Sequence, residues 1–314
     1  MANMMATRDA YGEALKEIGG IDENIVVLDA DLSGSTKTAI FGKEYPQRFF
    51  NVGIAEQNLM GTAAGLAAAG KVPFASTFAV FATGRAYEII RNSICYPNLN
   101  VKIAATHAGL SVGEDGASHQ ALEDISLMRS LPNMVVLSPA DGVEAKQCIY
   151  EAAKHDGPVY IRLGRSGVPI IFDGDYRFEI GKGVELVEGE DVTIIATGIM
   201  VERALNAAEK LSKEGISARV INISTIKPID EEIIIKAAKE TKGIITVEEH
   251  SIIGGLGSAV AEVVAKDAPT YVERIGAMDV FGESGDGNEL LDKYGLSVEN
   301  IVEKSKEMLE KRRG

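Results

Sequence analysis

The chain has no tryptophan, only two cysteines and nine prolines, and few basic residues: 32 Lys and Arg stand against 46 Asp and Glu, a net charge of −14. A shortage of positive charge argues against nucleic acids and anionic membranes as partners, because both require a basic face. Cys95 and Cys148 fall in helical patterns without metal-like spacing, so they read as reduced core residues, and no metal site is expected. Apolar runs are broken by Gly, Thr or charge well short of a bilayer span, and Met1–Thr7 carries no basic-then-apolar signal; the cytoplasm is the expected location. Internal repeats and low-complexity segments are also missing. What remains open is a small-molecule ligand or another protein.

At 314 residues and 46% hydrophobic content, the chain has material for two domains, each with its own core. Apolar strand candidates alternate with helical patterns: Ile25–Leu28, Phe49–Val52, Val72–Ser76, Val101–Thr106, Met134–Leu137 and Val159–Ile161, with helices such as Asp9–Ile18 and Ala140–Lys154 between them. The alternation restarts with strands at Val192–Thr197, Ala218–Ile223, Ile244–Glu248 and Tyr271–Ile275 and helices at Val201–Glu214, Asp230–Thr241 and Gly257–Ala265. Ser297–Arg312 reads as a charged amphipathic helix. This is an α/β pattern of two doubly wound, parallel domains. Ser166–Glu190, rich in Gly, Asp and Pro, has no helical period, which divides the chain into 1–170, a linker at 171–190 and 191–314.

Two segments carry chemistry. In Asn51-Val-Gly-Ile-Ala-Glu-Gln57, Gly53 allows a turn and Glu56 opens a helix of Ala, Gly and Leu running to Gly70. A carboxylate there gains at most about 1 kcal/mol from the helix dipole, yet apolar residues wall it on both sides, which marks it as a working group. Gly61, Gly65, Ala64, Ala68 and Ala69 let another backbone lie close. The second segment, Thr106-His-Ala-Gly-Leu-Ser-Val-Gly-Glu-Asp-Gly-Ala-Ser-His119, follows a strand candidate and holds two of the four histidines. Ligands of open parallel sheets bind beyond the carboxyl ends of strands, so this loop belongs in a site.

Asn51–Gly61, Ser76-Thr-Phe-Ala-Val-Phe81, Thr106–Gln120, Leu131-Pro-Asn and Ser138-Pro-Ala-Asp141 together resemble the C-terminal half of transketolase, its pyrimidine-binding domain followed by its C-terminal domain, over essentially the whole chain. His107 and Gly113-Glu-Asp-Gly116 favour transketolase over deoxyxylulose phosphate synthase. The resemblance implies thiamine diphosphate as cofactor. Glu56 then matches the acid that hydrogen-bonds the aminopyrimidine ring, a chemistry that needs a desolvated carboxyl group. Phe78 and Phe81 match the aromatic wall on that ring; a third aromatic common in the family is replaced by Gly84, leaving the pocket open or closed by Arg85 or Tyr87. Arg8, Ser35, His107 and Arg165 match the sugar-phosphate contacts, a local cationic cluster that an acidic protein needs to capture a phosphate. Asp115 matches the acid that reads a substrate hydroxyl, and His119 the imidazole at the reacting oxygen. Arg162 and Asp31 are weaker candidates, for which a surface arginine and a helix-capping aspartate are the plainer readings; His250 reads as structural.

Gly285-Asp286-Gly287 looks like the family's metal-binding motif but lies in the wrong domain, and Gly254-Gly-Leu-Gly257 lacks dinucleotide-binding spacing. The divalent metal (Mg or Ca) and the cofactor's diphosphate are therefore expected on a second polypeptide, an N-terminal transketolase subunit, in a heterotetramer of two such pairs in which this chain also self-associates; the Ala/Gly helix is a natural subunit contact. The implied activity moves a two-carbon ketol unit from a ketose phosphate to an aldose phosphate. Competing readings are the beta subunit of a 2-oxo-acid dehydrogenase, a deoxyxylulose phosphate synthase-like subunit, or a non-catalytic stabilising partner.

Overall fold

The computed structural model describes residues 4–311. Its strands in chain order begin with β1 (Met4–Ala6), β2 (Ile25–Asp29), β3 (Phe49–Asn51), β4 (Val72–Phe78), β5 (Lys102–Thr106), β6 (Val135–Leu137), β7 (Val159–Arg162) and β8 (Gly167–Pro169). They continue with β9 (Val184–Val187), β10 (Val192–Ala196), β11 (Ala218–Asn222), β12 (Thr225–Lys227), β13 (Ile244–Ser251) and β14 (Val272–Ala277).

The first sheet runs β12-β6-β7-β5-β4-β2-β3, parallel except for β12. β2 and β5 are buried along their whole length, which is why their apolar residues run together rather than alternate, with Lys102 of β5 buried on the carbonyls of His155 and Gly157. Chain order reverses around β2: β3 lies on one side of it and β4, then β5, on the other. Register sets the residues that follow these strands side by side, since Asp29 pairs with Ser76 and Phe78 with Thr106. The second sheet runs β14-β13-β10-β11-β9, parallel except for β9. β1 and β8 form a separate antiparallel pair.

The helices cover these sheets through apolar stripes. The Thr7–Ile21 helix packs Tyr11, Leu15 and Ile18 with Ile25, Val27 and Phe74 on one face of the first sheet. The other face joins Leu59, Met60 and Ala63 of the Glu56–Ala68 helix to Ile103 and Val136, and the same cluster continues into Ile221, Ile234, Leu256 and Val260. The expected pair of separate cores is thus partly one: residues before and after the proposed linker share a cluster.

Two further differences from the sequence reading stand out. The stretch expected as linker carries β9, which closes the edge of the second sheet beside β11, and it buries Phe172 and Phe178. β12, from the C-terminal part, pairs with β6 of the first sheet. Both antiparallel edges are short, and a three- or four-residue edge strand offers too little periodicity to be read in advance. The Glu56–Ala68 helix starts at the predicted residue, and Gly61 and Gly65 face outward, with no atom within 4 Å of an added Cβ. Among the described residues, no helix is long and apolar enough to cross a membrane.

Candidate active site

The carboxyl ends of β2, β3, β4 and β5 converge where strand order reverses, the place where open parallel sheets hold ligands. Asp29, at the end of β2, is fully buried and accepts hydrogen bonds from Leu32 N at 2.6 Å, Thr36 Oγ1 at 2.6 Å and Thr38 Oγ1 at 2.8 Å. This one carboxylate closes the loop that carries Ser35. Asp31, next along, is exposed, adopts a positive φ of 65° and accepts from Asn51 Nδ2 at 2.8 Å. It caps no helix, contrary to the plainer sequence reading.

Glu56 is 5% exposed, and its charge is compensated: Arg85 Nη1 donates to Oε1 at 3.1 Å. The same guanidinium lies over the Phe81 ring, 4.6 Å from its centroid. Of the two residues expected to close the pocket, Arg85 does so, while the Tyr87 hydroxyl pairs with Ser130 at 3.0 Å. Phe81 stacks on Phe78 with centroids 5.8 Å apart. Phe78 in turn stacks on His107 at 3.8 Å, and the His119 ring stands edge-on to Phe81 at 5.4 Å. The two phenylalanines and both histidines therefore form one ring cluster, and Arg85 links it to Glu56.

His107 is 3% exposed and holds a positive φ of 57°, a conformation uncommon outside glycine that asparagine, aspartate and histidine adopt most readily. Arg8 Nη1, a pure donor, sits 3.2 Å from His107 Nε2, and Thr106 Oγ1 lies 2.9 Å from Nδ1. The arginine needs an acceptor, so Nε2 carries the lone pair and Nδ1 the proton. Burial, together with Arg8, Arg165, His119 and Lys37, lowers the His107 pKa to about 3, so the ring is neutral. His119 is half-buried, with Nδ1 2.9 Å from Ser118 Oγ.

Arg8 also donates to the Ser35 carbonyl at 3.0 Å, and its Nε–H is buried without a partner. Arg165 donates to Val112 O at 2.6 Å and lies 3.7 Å from the Asp115 carboxylate. Arg8 and Arg165 line a polar cavity of about 290 Å³ with Ser111, Ser166, Asp286 and Gly287. A polar cavity lined by two arginines suits an anion. The Gly285-Asp286-Gly287 segment, set aside from sequence as remote, thus borders the site; Asp286 spends its carboxylate capping the Gly287–Lys293 helix, accepting from Asn288 N and Glu289 N.

Sequence reasoning missed the groups that hold the glycine-rich loop. Glu249, at the end of β13, accepts from Ser111 N at 2.5 Å, and a Cβ at Gly109 would fall on its carboxyl group. Arg162 is buried rather than on the surface: Nε donates to Asp124 Oδ2 at 2.9 Å and Nη2 to the Glu249 carbonyl at 2.8 Å. His250 is structural as expected, with Nδ1 2.7 Å from Ser251 O and a pKa lowered to about 4 chiefly by burial. The signal was present as Glu248-Glu249-His250 closing an apolar strand, three titratable residues where burial admits them only with partners.

Comparisons with known proteins agree on one family. The family "Transketolase, pyrimidine binding domain" matches residues 3–170, and "Transketolase, C-terminal domain" matches residues 181–301. The chain is 57% identical over 307 residues to the putative transketolase C-terminal section of Methanocaldococcus jannaschii, covering 97% of this chain and 96% of that protein. It is 42% identical over 305 residues to the 6-deoxy-6-sulfo-D-fructose transketolase subunit SqwH of Clostridium sp. (strain MSTE9), covering 97% and 95%. A solved structure described as "Split gene transketolase, inactive beta4 tetramer" superimposes with a TM-score of 0.92 at 60% identity, covering 97% of this chain and 98% of that one.

Proposed function

Since the chain belongs to the transketolase family, with both of its C-terminal domains matched, we propose that it is one half of a split enzyme that transfers a two-carbon ketol unit from a ketose phosphate to an aldose phosphate. The reading assigns the diphosphate-binding domain, and the Mg or Ca ion that holds the diphosphate, to an N-terminal partner subunit. It places two such pairs in a heterotetramer, with the outward-facing Ala/Gly helix at the contact between subunits. The relative described as an inactive beta4 tetramer is in keeping with a chain that self-associates and needs that partner.

Thiamine diphosphate is the family's cofactor, and the residues present fit its aminopyrimidine ring. Glu56 offers a buried carboxyl oxygen, and Phe81 a flat apolar face beside it; both already engage a planar group bearing N–H donors, the Arg85 guanidinium. When bound, the cofactor supplies a stabilised carbon nucleophile. Glu56 would hold the ring through its carboxyl oxygen, with Phe78 and Phe81 fixing its plane. Arg8 and Arg165 would clamp the substrate phosphate, helped by Ser35 at the loop that Arg8 ties down. Neutral His107, its Nε2 turned to Arg8, adds orientation without adding charge. Asp115 would accept from a substrate hydroxyl. His119, its Nδ1 tied to Ser118, would exchange a proton through Nε2 with the reacting oxygen.

The observation that carries this reading is the burial of Glu56 together with its link, through Arg85, to the ring cluster of Phe78, Phe81, His107 and His119. It is tested by reconstituting the chain with a subunit bearing the diphosphate-binding domain and measuring aldose phosphate released from a ketose phosphate donor. Glu56→Gln should cut turnover by about 10²- to 10⁴-fold while leaving complex assembly intact. Undiminished turnover would leave a stabilising, non-catalytic role for the chain.

A further inference from the structure

The guanidinium of Arg85 does two things at once: it satisfies the buried Glu56 carboxylate at 3.1 Å and covers the Phe81 face at 4.6 Å. These are the two surfaces that the proposed function gives to the aminopyrimidine ring. A guanidinium is planar, carries N–H donors in its plane and stacks on aromatic faces, so it resembles that ring in shape and hydrogen bonding. Both groups cannot lie on one face together.

We propose that Arg85 is a displaceable stand-in for the cofactor ring, holding the pocket in the free subunit and swinging out when thiamine diphosphate binds. This rests on the cofactor reading above. The local structure separates the part that stays from the part that moves. Gln57 Nε2 donates to the Arg85 carbonyl at 3.2 Å, anchoring the backbone, whereas the side chain is 56% exposed and has a path to solvent. Gly84, where the family often has an aromatic, is exposed and has nothing within 4 Å of an added Cβ, which leaves open space next to Arg85. Phe81–Arg85 forms a π-helical turn, an irregularity that recurs at functional sites. The arrangement answers a specific difficulty: a carboxylate kept dry for a cofactor is a liability before that cofactor arrives, and an internal cation relieves it.

The test is titration calorimetry of thiamine diphosphate with Mg into the cofactor-free reconstituted complex, comparing wild type with Arg85→Met, which keeps the stem but loses the flat cation. The variant should bind at least about threefold tighter, because no pair need be broken. The free variant subunit should also melt earlier than wild type, and adding Glu56→Gln should recover that loss. Equal or weaker binding by Arg85→Met overturns the stand-in role while leaving the cofactor reading in place. If wild type itself binds no cofactor, the cofactor reading fails and the proposal with it. Arg85→Lys, charged but unable to lie flat, should fall between the two and serves if Arg85→Met does not fold.

Discussion

Replacing His107 by Asn offers a quantitative check on how the site is built, because Asn tolerates the left-handed backbone at this position and the change then reports on the ring itself. In the folded chain the His107 pKa is lowered from 6.5 to about 3 by burial first, then by Arg8, Arg165, His119 and Lys37. The unfolded chain therefore binds more protons than the folded one between those two values. This part of the stability is complete above pH 6.5 or so and drains away as pH falls towards 3. Between pH 7.5 and pH 5 the loss works out at about 2 kcal/mol for this one ring. Groups that do not act on His107, among them His155 and His250, cancel in the difference. Urea unfolding of the subunit at the two pH values, followed by circular dichroism, should show wild type losing about 2 kcal/mol more than His107→Asn on acidification. Equal losses, within about 0.5 kcal/mol, would mean that the imidazole is not held neutral, and the assignment of its Nε2 as acceptor from Arg8 would fall.

Two other outcomes follow from groups around the glycine-rich loop. Arg162→Met strands the buried Asp124 carboxylate and should cost about 3–5 kcal/mol in chemical unfolding, whereas adding Asp124→Leu together with Tyr160→Phe, which removes the hydroxyl that donates to Asp124, should recover most of it; failure to recover would point to a role beyond charge pairing. Gly109→Ala combines a positive φ of 83° with a collision at the Glu249 carboxyl group, so it should destabilise by more than about 2 kcal/mol and impair turnover of the reconstituted complex; a neutral result would show that Glu249 does not seat the loop.

The sequence made the periodic parts plain. Strands such as Ile25–Asp29 and Val192–Ala196 are mostly apolar on both faces because both faces are covered, and the helices between them carry a clear stripe. The site was legible where it was local: Glu56 at a helix start after Gly53, and two histidines in one glycine-rich loop. What stayed hidden depended on distant parts of the chain. Arg85 was one of two equal candidates, because its seat on Phe81 and Glu56 is decided by a side-chain direction that no periodicity encodes. Arg162 looked like a surface residue because its partners, Asp124 and the Glu249 carbonyl, lie far along the chain. β9 and β12 are edge strands whose pairing is fixed by the sheets they complete, so nothing in their own few residues announces it.

The position of β12 limits how this molecule can be taken apart. Its backbone stitches a segment from beyond residue 220 onto the outer rim beside β6, so the two halves are buttoned together rather than hung on a hinge. A fragment stopping near residue 190 would bare that rim along with the apolar surface that Leu256 and Val260 cover, and exposed rims of this kind recruit one another into aggregates. Opening the pocket must then fall to single side chains and loops, because the scaffold that carries them has no seam along which to part.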